Sequence, residues 1–240
     1  MSPHSSYTVC LESVNLQREL SVWVENIGRT KATSDGYSSS EICASIEQLY
    51  RNALIEPLDS QRIVVAQSPL EANEIACQRE WESIRLQLPS CTEVCNTIAD
   101  TSLRNTYNQL CKVIGFEPDI PSFREARLRT SVYSEAVVRE SCLFQDHGRV
   151  RPIMGNLYLG SLPLNSYLSN ELGNITSLRG LNAMLWLCRN FGFIYFGATY
   201  CVLTELPTYF EPRPSVNEPS SFEIVWQDGF LISWENNSES

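Results

Sequence analysis

Histidine is scarce in this chain: His4 and His147 are the only two. His147 stands in Asp146-His147-Gly148-Arg149. There an imidazole near its working pH range sits beside a carboxylate that could orient it and a guanidinium that could hold an anionic group. Asp146, His147 and Arg149 are therefore the candidate catalytic residues. A nucleophile would have to come from elsewhere, such as Ser141 or Cys142. Neighbours in sequence point apart, so the competing reading of the same residues is a solvent-exposed turn.

Cys91-x-x-x-Cys95 puts two thiols on one face of a helix, and Cys111 could join them. A metal site needs four ligands, or three and a water, and no histidine lies nearby. The expectation is no metal and no cofactor. The six arginines Arg124, Arg127, Arg129, Arg139, Arg149 and Arg151 form one locally basic stretch. Their fork geometry suits carboxylate or phosphate, and the competing reading is a solvated helix face paired with Glu125, Glu135 and Glu140. A fourth group is aromatic, from Phe191 to Tyr200. Packing of a helix onto a hairpin accounts for it, and so would an exposed recognition surface. Phe193, Tyr195, Tyr200 and Trp234 are the candidate binding residues. The phosphate-cradling, dinucleotide, nucleophile-elbow and zinc-protease motifs are all absent. Only Lys31 and Lys112 are lysines, which disfavours Schiff-base chemistry.

The elements that must position these residues follow from periodicity and punctuation. Val9 to Glu25 allows a helix, and the glycine- and serine-rich stretch from Gly28 to Ser40 reads as a connection. Ser38-Ser39-Ser40-Glu41 has capping-box spacing, and apolar residues at three and four then predict a helix over Glu41 to Leu54. Gln61 to Ala66 is a short β-branched strand. Ser68-Pro69-Leu70-Glu71 starts a second helix, with Ser68 as N-cap, Pro69 in the first turn and Glu71 closing the box. That helix runs to about Leu88, and further helices are expected over Thr92–Ile114, Ser122–Phe144, Leu164–Leu172 and Ser177–Phe191. Gln145 to Leu162 reads as a long loop. The tail changes period to two. Phe193–Phe196 and Cys201–Thr204 form a hairpin around Gly197-Ala198, and Pro207 to Pro219 is extended. Phe222–Gln227 meets Phe230–Trp234 across a two-residue Asp228-Gly229 turn. In that register Trp226 faces Leu231, and Val225 faces Ile232. Trp226 is expected to anchor the hairpin on the helix Ser177–Phe191.

Composition bounds the function classes. The chain has 240 residues, 43% of them hydrophobic and 19% charged, with 18 basic against 28 acidic side chains and a formal charge of −10. Such a chain is repelled by phosphate backbones and anionic bilayers, so neither nucleic acid nor membrane is an expected partner. No run approaches the ~20 apolar residues of a membrane span. Nine cysteines at irregular spacing, without a signal-peptide pattern, read as small buried hydrophobes of a cytoplasmic protein.

Three stretches in order carry a resemblance. They are Leu49-Tyr50-Arg51 with Arg62–Val65 and Ser68-Pro69-Leu70; Asn190–Phe193 through Cys201–Pro207; and Val225–Phe230. Together they resemble an uncharacterised bacterial domain family of unknown function, sometimes annotated beside leucine-rich-repeat proteins. The resemblance covers roughly Ser40 to Glu235. Where members of that family read Gly-Gln-His-Asp, this chain has Gly155-Asn156-Leu157-Tyr158. Where they carry Arg-Leu-His-Asn-Glu-Asp-Gly-Pro, it has Ser215 to Ser221. The resemblance thus implies a fold and supplies no activity.

The expectation is an α+β protein: a mainly helical body, a short strand near Ile63 and a C-terminal antiparallel meander. Residues 1–39 form an N-terminal helix and connection, 40–235 one domain, and 236–240 a frayed tail. Its function is expected to be interaction with another protein, without catalysis, through the C-terminal hairpin and the aromatic stretch. The alternative is a tailoring or hydrolytic enzyme using His147 and its neighbours on an anionic or peptide substrate.

Overall fold

Ser38 does what its spacing predicts. Its hydroxyl accepts the Glu41 N–H, and the Glu41 carboxylate accepts the Ser38 N–H, so two otherwise unpaired donors are satisfied at the start of α1, Ser39–Asn52. The computed structural model describes residues 38–104, 149–154, 179–214 and 219–235. The helices expected at Val9–Glu25, Ser122–Phe144 and Leu164–Leu172 lie outside the described residues, as do residues 1–37 of the expected N-terminal segment 1–39 and the tail 236–240; Ser39 already belongs to α1.

A 3-10 turn, Ser60–Arg62, leads into β1, Ile63–Ala66, and then α2, Pro69–Arg85. Ser68 caps α2 as expected, with the Glu71 N–H on its hydroxyl. The Glu71 carboxylate reaches one residue further back, to the Gln67 N–H at 2.7 Å. A second full capping box, Ser90 with Glu93, opens α3, Cys91–Ala99. This helix then widens into a π turn, Asp100–Arg104. The widening follows two back-bonds in series, from Thr97 Oγ1 to the Glu93 carbonyl and from Thr101 Oγ1 to the Thr97 carbonyl. α4, Arg179–Asn190, buries the predicted Leu181, Met184, Leu185 and Cys188. No described helix is long and apolar enough to cross a membrane.

The architecture is α+β, with two sheets where a single meander was expected. In the first, the order is β1-β4-β3-β2: β3 (Phe193–Phe196) and β4 (Cys201–Thr204) form the predicted hairpin. β1 runs parallel to β4, Ile63 opposite Cys201 and Ala66 opposite Thr204. β2, Ile153–Met154, pairs antiparallel with β3 inside the stretch expected to be a long loop. A two-residue strand has too short a pattern to stand out beside Gly148, Gly155 and Gly160. Every residue of β3 and β4 is buried, which explains their apolar runs without alternation: neither face of these strands meets water. α2 and α3 pack on this sheet, and α1 packs along α4. The α1–α4 approach is close at Gly180, where a Cβ would collide with the side-chain amide of Asn52.

The second sheet is β5-β6-β7, with β5 Tyr209–Pro214, β6 Pro219–Val225 and β7 Leu231–Glu235. The Asp228-Gly229 hairpin exists, with a different turn. Val225 pairs with Leu231 and Ile224 with Ile232, one residue out from the expected register. The Trp226 N–H donates to the Phe230 carbonyl, and the Gly229 N–H to the Trp226 carbonyl. Gly229 alone in this turn has a left-handed φ, +84°. This is a three-residue loop ending in a glycine bulge, and Asp228 instead uses its carboxylate to accept the Phe230 N–H. The register change brings Ile232 opposite Ile224, on the inward face of the sheet that also carries Trp226. Trp226 is 1% exposed, its ring centroid lies 6.5 Å from Phe193 and 5.7 Å from Phe230, and its indole N–H donates to the Glu205 carbonyl. The anchor therefore closes on the start of β3, just beyond the end of α4.

Candidate functional site

Of the three candidate catalytic residues, Asp146 and His147 lie outside the described residues. Arg149 is committed elsewhere. Its Nε donates to Glu80 Oε1 at 2.9 Å, and its Nη2 points to the Leu88 carbonyl at 3.4 Å. Glu80 is 3% exposed. Its other oxygen receives the Cys91 N–H and the Tyr200 hydroxyl, both at 3.3 Å. One carboxylate thus ties α2, the N-terminus of α3, the β3–β4 turn and the segment at 149 together. Sequence reasoning did not single out Glu80. The signal was present: Pro69, Ala72, Ala76, Glu80 and Ser83 form the inward stripe of α2, and a carboxylate on such a stripe needs partners.

The Cys91 and Cys95 sulfurs are 3.9 Å apart and buried. Their bonds are structural: Cys95 Sγ receives the Phe196 N–H at 3.3 Å, and Cys91 Sγ faces the Arg151 carbonyl. The hydrogen bond to Cys95, then burial, pushes the Cys91 thiol well up. Burial does the same to Cys201. A thiol held protonated is a poor nucleophile at neutral pH. Among the described residues no group of three or more histidine, cysteine or acidic side chains has the geometry to hold a metal.

The aromatic candidates resolve differently from the expected surface. Phe193, Tyr195 and Tyr200 are buried, because β3 and β4 are covered on both faces. They are interior packing, and a binding surface made of their rings is not present. The Tyr50 hydroxyl bonds to the Gly197 carbonyl at 2.7 Å and lies 3.1 Å from the Tyr200 carbonyl, locking α1 over that turn. Burial chiefly, with the nearby Cys91 and Glu80, raises the Tyr200 phenol. Trp234 lies on β7 opposite Phe222 in the ladder; its side chain is outside the described residues.

The C-terminal sheet offers two edges of unlike character. β5 carries Pro212 and Pro214 with Glu211 and Arg213, all features that discourage further pairing. β7 reads Leu231-Ile232-Ser233-Trp234-Glu235, without proline and with one charge at its end. Among the described residues no strand pairs with its outer side. The Trp226–Phe230 bond fixes the alternation: Ile232 and Trp234 bond inward to β6, while Leu231, Ser233 and Glu235 direct N–H and C=O outward. Leu231 is 51% exposed.

A cleft of about 520 Å³ opens between three loops and α3. One wall follows α1 (Ile55 to Asp59, with Arg62), a second joins α2 to α3 (Leu88-Pro89), and the third is the β3–β4 turn at Ala198-Thr199. Glu93, Val94 and Thr97 of α3 complete it. The first two walls begin alike. The Ile55 N–H bonds to the Tyr50 carbonyl and the Leu54 N–H to Arg51; the Leu88 N–H bonds to Ser83 and the Gln87 N–H to Ile84. Each is a Schellman turn with a non-glycine residue in the left-handed position, Leu54 at φ 57° and Gln87 at φ 55°. The sequence showed neither turn, because glycine, the usual marker, is missing from both. No family model, no curated protein and no solved structure matches this chain.

Proposed function

We propose that this protein is an interaction module without its own catalysis, and that it receives an extended segment of a partner protein along the outer edge of β7. The observation that carries this reading is the asymmetry of the C-terminal sheet: β5 is guarded by two prolines and two charges, while β7 presents outward backbone groups at Leu231, Ser233 and Glu235 and carries a single charge, at its last residue. Strand addition takes its affinity from main-chain hydrogen bonds and its selectivity from alternate side chains. The formal charge of −10 opposes pairing with a second copy and favours a neutral or basic segment.

The test is a random peptide library panned on the full-length protein, with selected peptides mapped by amide chemical shifts. Peptides should perturb Leu231, Ser233 and Glu235. Binding should fall at least about tenfold in Ser233→Pro, which deletes an outward N–H and leaves the β6 ladder bonds in place. Leu231→Lys, a change on an exposed side chain, should weaken it as well. Peptides that bind both variants as tightly as the parent, or map away from β7, overturn the reading. A concentration-dependent dimer lost in Ser233→Pro would assign the edge to self-association instead.

A further inference from the structure

The cleft between the two Schellman turns is separate from β7, and its chemistry selects a ligand class. Its lining mixes apolar side chains, among them the partly exposed Ile55 and Leu58, with three carboxylates and one guanidinium. The guanidinium of Arg62 is turned to the Thr199 carbonyl at 3.4 Å. Glu93 is held ionised: Ser90 donates both its N–H and its hydroxyl to Oε2, lowering the carboxyl below its ordinary range. Glu56 and Asp59 have no hydrogen bond or ion pair from their carboxylates among the described residues. Thr199 adds a hydroxyl that is buried and has no hydrogen-bond partner, an arrangement that costs free energy until something supplies one.

We infer that this cleft binds an amphipathic cation: an arginine side chain of a peptide, flanked by an apolar group that lies on Ile55 and Leu58. Net negative charge in a concave apolar setting attracts a cation and repels an anion. A guanidinium carries donors enough for two carboxylates and a hydroxyl. Nothing in this inference depends on the β7 edge, so either can fail alone.

The probe is benzoyl-arginine amide, titrated into the full-length protein and followed by amide chemical shifts. Its neutral isostere benzoyl-citrulline amide and the anionic benzoyl-glutamate serve as comparisons. The arginine compound should bind with shifts centred on Thr97, Ala198 and Thr199, and the citrulline compound about tenfold more weakly. Glu56→Gln with Asp59→Asn should weaken the arginine compound about fivefold, while Arg62→Gln should tighten it, since a like charge is removed. All three positions are exposed, so the variants fold. Raised salt should weaken binding in the parent and less so in the doubly neutralised variant. No binding by about 10 mM, equal binding of arginine and citrulline compounds, or preference for benzoyl-glutamate would each overturn the inference.

Discussion

Leu54 is 94% exposed and sits at φ 57°, a left-handed position that glycine normally fills. Nothing packs on its side chain strongly enough to explain a leucine there. The left-handed conformation costs an L-residue roughly 1–2 kcal/mol, and glycine loses roughly 0.5–1 kcal/mol more backbone entropy on folding. The first quantity wins. Leu54→Gly should therefore stabilise the protein by about 0.5 kcal/mol, read as a higher urea midpoint at unchanged slope. A drop of more than ~0.5 kcal/mol would show that the leucine makes contacts worth keeping. The same residue scale explains why the candidate site was only partly legible. In the sequence Arg149 reads as a candidate catalytic guanidinium beside His147 and as one charge of a basic stretch. Its partner Glu80 stands 69 positions away, and no local pattern links a helix carboxylate to a loop guanidinium at that separation.

At the scale of elements, those that the sequence announced are the ones with local causes. Ser38 and Glu41, or Ser68 and Pro69, fix a helix start within a few residues, and the period of α4 fixes its buried face. Elements defined by distant partners stayed hidden: β2 exists only because β3 lies beside it, and β1 joins β4 in parallel across more than 130 residues. The last hairpin falls between these cases. Asp228-Gly229 signalled it correctly, but a two-residue turn and a three-residue bulged loop share that dipeptide, and the choice moves the register by one. The bulged form sets Phe230 and Ile232 on the inward face that Trp226 shares with Ile224, and Trp226 packs there against Phe193 and Phe230. Truncating an indole in such a place removes its burial and leaves a cavity, so Trp226→Ala should cost ~3–5 kcal/mol. Gln227→Ala, one residue along and exposed, should stay within ~0.5 kcal/mol. Urea melts of both beside the parent decide it: a Trp226→Ala loss below ~1 kcal/mol would mean the hairpin is not anchored by this ring.

For the whole molecule, the buried cysteines and tyrosines set an alkaline limit to stability. Burial pushes the Cys188 thiol up to about 12. Cys201 is raised by the same cause, and Cys91 first by its hydrogen bond to Cys95 and then by burial. Burial also raises Tyr50, Tyr195 and Tyr200. Each of these groups has a folded pKa above its unfolded one, so its contribution is complete below the unfolded value, near pH 9 for a thiol, and is lost as pH climbs toward the folded value. In that window the unfolded chain has released a proton that the folded chain still holds, and unfolding is favoured by about 1.4 kcal/mol per pH unit for each thiol. Three such thiols give a slope of about 4 kcal/mol per unit, against a total of ~5–15 kcal/mol for a domain, and the tyrosines add to it above about pH 10. The acid side is gentler. The lowered carboxyls of Glu41 and Glu93 are solvent-exposed caps, whose small contribution is present at neutral pH and fades as pH falls through their folded values. Urea midpoints measured from pH 5 to 11 should be nearly level up to about pH 9 and then fall steeply. Cys188→Ala should lower the neutral-pH midpoint by leaving a small cavity, yet make the alkaline fall shallower by removing one thiol from the count. A parent profile that stays level to about pH 10.5, or a Cys188→Ala profile just as steep, would mean that these thiols ionise in the folded state and that the interior around β4 admits water.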